Sequence, residues 1–430
     1  MSNTCKCGKI HRSSVKEIIT KSGAILELPN IIKKFNSQKP FILADVNTYN
    51  AAGKNVCNIL AENGIIFSKY IFQTDRPEPD EHCVGSAVMH YDYECDMIIG
   101  IGSGVINDIC KLLSKLTKTP YIIVATAPSM DGYASASSSM AMDGLKVSLS
   151  TKCPDVIIGD IDILKNAPIR MIQSGLGDML AKYISICEWR IAHLLIGEYY
   201  CEYVAETVRS ALKKCTENAS GIIKRDENAV KAVFDGLITC GTAMEYAGLS
   251  RPASGCEHYI SHIWDMRGLA FGTKTDLHGI QCGIATVIVA KVYEQIKNTI
   301  PNKEKALEYV KNFDLKKWND ALTEFVGIGA QAMISLEKKE HKYDASKHRI
   351  RLEKIIKNRD EIIKIITEEI DENQIESILD TVGAPKSCDE IGIDSNILPM
   401  TFKSSKDIRD KYVLSRLCWD LGIIDDIKFD

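Results

Sequence analysis

The stretch DMIIGIGSGVINDICKLLSKLTKTPYIIVA, residues 96–125, sets the architecture. Residues 96–102 form an apolar run that reads as a buried strand, and a helical pattern over about 107–118 follows at once. Residues 121–125 are again short and apolar. Strand, helix and strand at this spacing make a βαβ unit, and uninterrupted apolar strands belong to a parallel sheet covered on both faces. On the N-terminal side, residues 40–45 read as a strand ending on an acid, with a helix through about Glu62, and 65–71 as a further strand. On the C-terminal side, residues 156–159 give one more strand. After Pro168 the pattern changes: 171–191, 198–215, 228–246 and 286–297 read as helices with no convincing strand between them. The expectation is a Rossmann-like α/β domain over residues 1–165 and an all-α domain over 166–430. A cleft between the two is the default site.

At 430 residues, two domains are the natural prior, and 45% apolar with 26% charged residues is the composition of an ordinary globular protein. A net charge of −4 provides no general basic surface, which argues against nucleic acid and membrane phosphates as partners. The apolar run at 284–290, IATVIVA, is too short to span a bilayer, and the N-terminal MSNTCKCGKIH lacks an apolar signal region. Fifteen cysteines scattered singly point to reduced thiols and a cytoplasmic location. Cys5, Cys7 and His11 are the exception. Two thiolates and an imidazole suit zinc, but the spacing is not CxxC and no fourth ligand is evident, so a flexible polar tail is the plainer expectation.

Gly100, Gly102 and Gly104 lie between the predicted strand and helix. Without Cβ atoms the backbone can turn sharply and approach a pyrophosphate, with the first helical amides facing the anion. Val105 stands where the usual dinucleotide fingerprint has glycine, so this is a variant of that fingerprint, and a glycine turn without ligand is the alternative. Asp45 suits the ribose hydroxyls of an adenosine and would repel a 2′-phosphate, which favours NAD over NADP; an N-cap is the alternative. The run Thr126, Ala127, Pro128, Ser129, continuing to Ser135, is small and hydroxyl-rich. That suits packing around a nucleotide, as it would suit a plain loop. In SGCEHYISHIWDM, residues 254–266, His258 and His262 share a face if the segment is helical, and His278 follows in DLHGIQCG. A metal pair and a surface face carrying two imidazoles remain equally consistent with that spacing.

GSGVINDICK, TAPSMDGYASASS, SGLGDMLAKY, SRPASGCEHYISH and LHG occur in this order. The series resembles the sn-glycerol-1-phosphate dehydrogenase family, closest to its bacterial AraM-type branch. That family sits within the metal-dependent alcohol dehydrogenase and dehydroquinate synthase-like superfamily. The resemblance covers roughly residues 15–300. It implies NAD(P)H-dependent reduction of dihydroxyacetone phosphate to sn-glycerol 1-phosphate, with one divalent metal, zinc or nickel, held by Asp178, His258 and His278. It implies substrate contacts at Asp131, Asp178 and His262; the relay of a proton by His262, one helical turn from His258, is a hypothesis from the chemistry. For the cofactor it implies Asp45, Gly104, Val105, Ile106, Asn107, Asp108, Thr126, Ala127, Pro128, Ser129 and Ser135, with NAD(H) preferred and NADP(H) tolerated. A homodimer in the cytoplasm, serving phospholipid synthesis, is the further implication. The alternatives are a glycerol or polyol dehydrogenase acting on an unphosphorylated substrate and a dehydroquinate synthase-like lyase. Arg251 and Lys274 are open as phosphate contacts or as solvated surface charges.

Overall fold

The computed structural model describes residues 5–74, 77–142 and 145–429; the first four residues of the polar N-terminal stretch fall outside that range. Eight strands are present among the described residues: β1 (Glu17–Lys21), β2 (Pro40–Asp45), β3 (Ser68–Phe72), β4 (Met97–Gly102), β5 (Tyr121–Ala125), β6 (Ser137–Met142), β7 (Leu145–Ser150) and β8 (Val156–Asp160). Six of them form a parallel sheet in the order β1-β8-β5-β4-β2-β3, and β6 pairs antiparallel with β7.

Every residue of β2, β4, β5 and β8 is buried, which is why their sequences are unbroken apolar runs rather than alternating ones. Ile42, Ile99, Ile101, Ile122, Val124 and Ile158 enter one core with Leu28, Ile31, Val56 and Leu60 from the covering helices. The chain goes from β2 outward to β3, returns to β4 beside β2, then continues to β5 on the opposite side. The strand order therefore reverses between β2 and β4. In open α/β sheets a crevice at the carboxyl ends of the strands opens at such a reversal. Asp45 closes β2 and Gly102 closes β4 at that edge.

β2 and β5 stand where the sequence places them, β4 begins one residue late and β3 begins at Ser68. The edge strand β1, with the mixed sequence EIITK, and the hairpin β6–β7 are additions. The helix expected over 171–191 is two helices, Ile169–Leu180 and Lys182–Ile196, parted at Ala181. The chain forms two compact units: Met1–Met179 with Ser210–Gly248, and Leu180–Arg209 with Leu249–Asp430. In the second unit, Trp189, Trp264 and Trp419 are buried among helices that include Cys256–Phe271 and His278–Lys297. No helix of the described residues is long and apolar enough to cross a membrane.

Candidate active site

In the first unit the chain leaves β4 at Gly102 and enters the helix Gly104–Thr117 with Ser103 at the N-cap, where no side chain caps the helix. The first amides of a helix have no intrahelical acceptor, so an uncapped start beside a glycine turn suits a phosphate. The three glycines differ in purpose. A Cβ on Gly102 would come within 2.6 Å of Ile106 Cβ, and one on Gly100 within 2.8 Å of Cys110 Sγ, so these two allow the helix to lie against its strand. A Cβ on Gly104 would meet only Met130 Cγ at 3.5 Å, an ordinary contact. Its bareness serves the space in front of the helix rather than the packing behind it.

Several side chains named for the cofactor hold the first unit together. Asn107 Nδ2 donates to Gly132 O (3.2 Å), while Asn107 Oδ1 accepts from Tyr121 OH (3.0 Å). Asp108 accepts from the Ser139 amide at 3.2 Å, and burial pushes its carboxyl up to about 6 although Lys111 pulls the other way. Ser135 Oγ accepts from the buried Lys111 Nζ at 3.0 Å, and the same ammonium donates to Gly132 O at 2.5 Å. Thr126 is tied by its amide to Gly102 O (3.1 Å), and Ala127 O accepts from Tyr133 OH (2.7 Å). Ser129 Oγ lies 2.5 Å from Ser103 Oγ, and its carbonyl accepts from Ser174 Oγ at 2.9 Å. Val105 is half-buried, whereas Ile106 is a core residue. Asp45 is an N-cap: its Oδ1 accepts from the Thr48 amide at 3.0 Å, and Thr48 Oγ1 accepts from the Asp45 amide at 3.0 Å.

The helix Ile169–Leu180 carries Asp178, which is fully buried. Its Oδ2 accepts from the Asp131 amide at 2.9 Å, and the two carboxylates offer oxygens within 4.8 Å of one another. Adjacent carboxylates, one of them removed from water, are stabilised by a cation. Gly175 makes this placement possible. A Cβ there would lie 1.8 Å from Pro128 O, so the helix backbone rests directly on the loop after β5.

In the second unit His258 and His262 sit one turn apart on Cys256–Phe271, and His278 opens His278–Lys297. Ring centroids lie 5.0 Å apart for His258 and His278, 5.6 Å for His262 and His278, and 6.4 Å for His258 and His262. The buried Glu257 Oε1 is 2.8 Å from His258 Nδ1, and a carboxylate there fixes the proton on Nδ1 and leaves Nε2 to a metal. Ser261 Oγ is 3.2 Å from His278 Nδ1 and also accepts from Gln281 Nε2 at 3.0 Å. This is the donor set and outer support that a catalytic ion requires.

Two groups not assigned from sequence join these histidines. Cys282, one turn past His278, places Sγ 3.5 Å from His278 Nε2, and with His258 and His278 it forms a trio whose ligand atoms lie within 4.8 Å. Burial pushes that thiol up, but the two imidazoles outweigh it and the net direction is down. Asp265 forms a second trio with His262 and His278 and accepts from Gln281 Nε2 at 2.9 Å. The i, i+4 spacing of His278 and Cys282 was the available signal. Behind the site, Glu188 accepts from the Cys256 amide at 3.0 Å; burial, then the charge of Glu257, pushes its carboxyl up to about 8. Arg251 is buried and grips Glu198 with two bonds of 2.8 and 2.6 Å, a structural pair rather than a surface charge. Lys274 is exposed.

Residues 19–168 match the profile of the iron-containing alcohol dehydrogenases. A protein of Halalkalibacterium halodurans named glycerol-1-phosphate dehydrogenase [NAD(P)+] is 34% identical over 298 residues, 68% of this chain and 75% of that one. One of the same name from Pyrococcus furiosus is 33% identical over 290 residues, 66% of this chain and 82% of that one. Among solved structures, a glycerol dehydrogenase of Schizosaccharomyces pombe superposes with a TM-score of 0.60 at 17% identity, covering 96% of this chain and 90% of that one. A maleylacetate reductase from a Rhizobium strain gives 0.59 at 12% identity, covering 96% of each chain. These two likenesses establish the fold.

Proposed function

The chain belongs to the glycerol-1-phosphate dehydrogenase family, and from that premise we propose that it reduces dihydroxyacetone phosphate to sn-glycerol 1-phosphate with NAD(P)H, reversibly. The observation that carries the reading is the support behind His258: the Glu257 carboxylate on its Nδ1 leaves Nε2 as a ligand atom. Asp178, His258 and His278 are the proposed ligands of one divalent ion, zinc or nickel. When bound, that ion supplies Lewis acidity toward a ketone oxygen, and the nicotinamide supplies hydride.

The remaining roles fall to this chain's own groups. The Asp131 carboxylate accepts a hydrogen bond from a substrate hydroxyl, and Asp178 contacts substrate as well as ion. The His262 imidazole holds the proton that the C2 oxygen takes up. The amides of Gly104, Val105 and Ile106 bind the pyrophosphate, with Asn107 and Asp108 fixing the helix behind them. Thr126, Ala127, Pro128, Ser129 and Ser135 border the nucleotide. Asp45 uses one oxygen for its cap, and a carboxylate has a second for a ribose hydroxyl, which favours NAD(H) while tolerating NADP(H). A homodimer in the cytoplasm supplying phospholipid synthesis completes the proposal, and fifteen cysteines scattered singly along the sequence support that compartment.

The deciding assay follows NADH oxidation with dihydroxyacetone phosphate and with dihydroxyacetone. Turnover on the phosphorylated ketone is expected, lost on chelation and restored by zinc or nickel. Turnover on the unphosphorylated ketone alone would overturn the substrate assignment.

A further inference from the structure

We propose that Cys5, Cys7 and His11 form a second, structural metal site, selective for zinc, that pins the N-terminal segment to the first unit. The segment is not the loose tail expected from its composition. Its extended course is anchored on the end of the helix Glu227–Ala247, whose last carbonyls have no intrahelical donor. Lys9 Nζ donates to Ala247 O at 2.7 Å, His11 Nδ1 lies 3.2 Å from Tyr246 O, and the Ser14 amide donates to the Glu245 carboxylate at 3.0 Å.

A carbonyl only accepts, so the neutral ring that makes this contact carries its proton on Nδ1 and presents a lone pair at Nε2, as in metal-binding histidines held from behind. That lone pair faces Cys7 Sγ at 3.4 Å. Zinc bonds of about 2.3 Å to sulfur and about 2.0 Å to nitrogen, at a tetrahedral angle, place S and N about 3.5 Å apart. Cys5 completes the set, its sulfur lying within 4.8 Å of the other two ligand atoms. The knuckle that brings both thiols to one side is closed by Cys5 N to Lys9 O (3.0 Å) and Gly8 N to Cys5 O (2.8 Å). Gly8 turns it with φ of 85°, a conformation costly for any other residue. Two soft thiolates and one imidazole select zinc over the hard cations.

The test uses the full-length protein purified under reducing conditions. Elemental analysis should show about one zinc equivalent fewer in Cys5→Ser/Cys7→Ser and in His11→Ala than in the wild type, with turnover retained. Equal metal content would overturn the proposal. A second measurement needs no variant: zinc-loaded wild type is treated with an alkylating reagent and mapped by mass spectrometry. Cys5 and Cys7 should resist modification until a chelator is added. Prompt modification with zinc present, or a Cys5–Cys7 disulfide that forms regardless of zinc, would equally overturn it.

Discussion

In the proposed roles, the helix that begins at Gly104 in the first unit meets a ligand with its backbone, whereas the helices that begin at Cys256 and His278 in the second use side chains. Around Gly104 nearly every polar side chain is already engaged: Asn107 with Tyr121 and Gly132, Ser135 with Lys111, Asp45 with Thr48. At His258 and His278, Nδ1 is held from behind by Glu257 or Ser261. A backbone site is specified by what is missing in front of it; a side-chain site is specified by what stands behind it. Mutations should therefore fail in opposite ways in the two places.

The largest effect is expected from His258→Ala or His278→Ala. A Lewis acid contributes several kcal/mol, so kcat/KM should fall by at least about a thousandfold with loss of bound metal, checked by steady-state kinetics and elemental analysis. Next is Glu257→Gln, which leaves both ligands in place but loosens one from behind. Metal affinity should drop about 10–100-fold in a chelator competition, and unchanged affinity would remove the idea of support from behind. On the backbone side, Gly104→Ala should raise KM for NADH about tenfold with an unchanged unfolding midpoint, because its Cβ meets only ordinary contacts. Gly102→Ala should instead lower stability by about 1–3 kcal/mol in denaturant titrations, because its Cβ meets Ile106 at 2.6 Å. Asp45→Asn keeps a good N-cap and removes the charge; kcat/KM for NADPH relative to NADH should rise about fivefold, with stability nearly constant. The smallest effect is assigned to Cys282→Ser. If Asp178 is the third ligand, metal content should hold within about a factor of two, and loss of the ion would transfer that role to the thiol.

The strands most legible in the sequence are those whose neighbours cover both faces. PFILAD and YIIVA announce themselves as buried, and both begin and end where expected. The edge strand EIITK is half exposed and mixed in character, and the hairpin strand SSSMAM is built of serine, methionine and alanine without β-branched or aromatic residues, so neither carries the usual signal. The break at Ala181 has no proline or glycine to mark it. At the candidate site, the family resemblance carried by the order of motifs is what names Asp178, His258 and His278. The hydrogen-bonding duties of Asn107, Asp108 and Ser135 were hidden because their partners lie some 14 to 31 positions away in the chain. Cys282 was in plain view within a quoted motif, yet its relation to His258 depends on how two helices pair.

Where the helix Ile169–Leu180 touches the loop after β5, a single missing methyl sets the spacing of two acids, since any side chain at 175 would collide with Pro128 O. Engineering that seeks a roomier substrate pocket thus has no leverage at this joint. A bulkier residue would lever Asp178 away from Asp131 before it widened anything, so the freedom to retune lies with the side chains that surround the two acids.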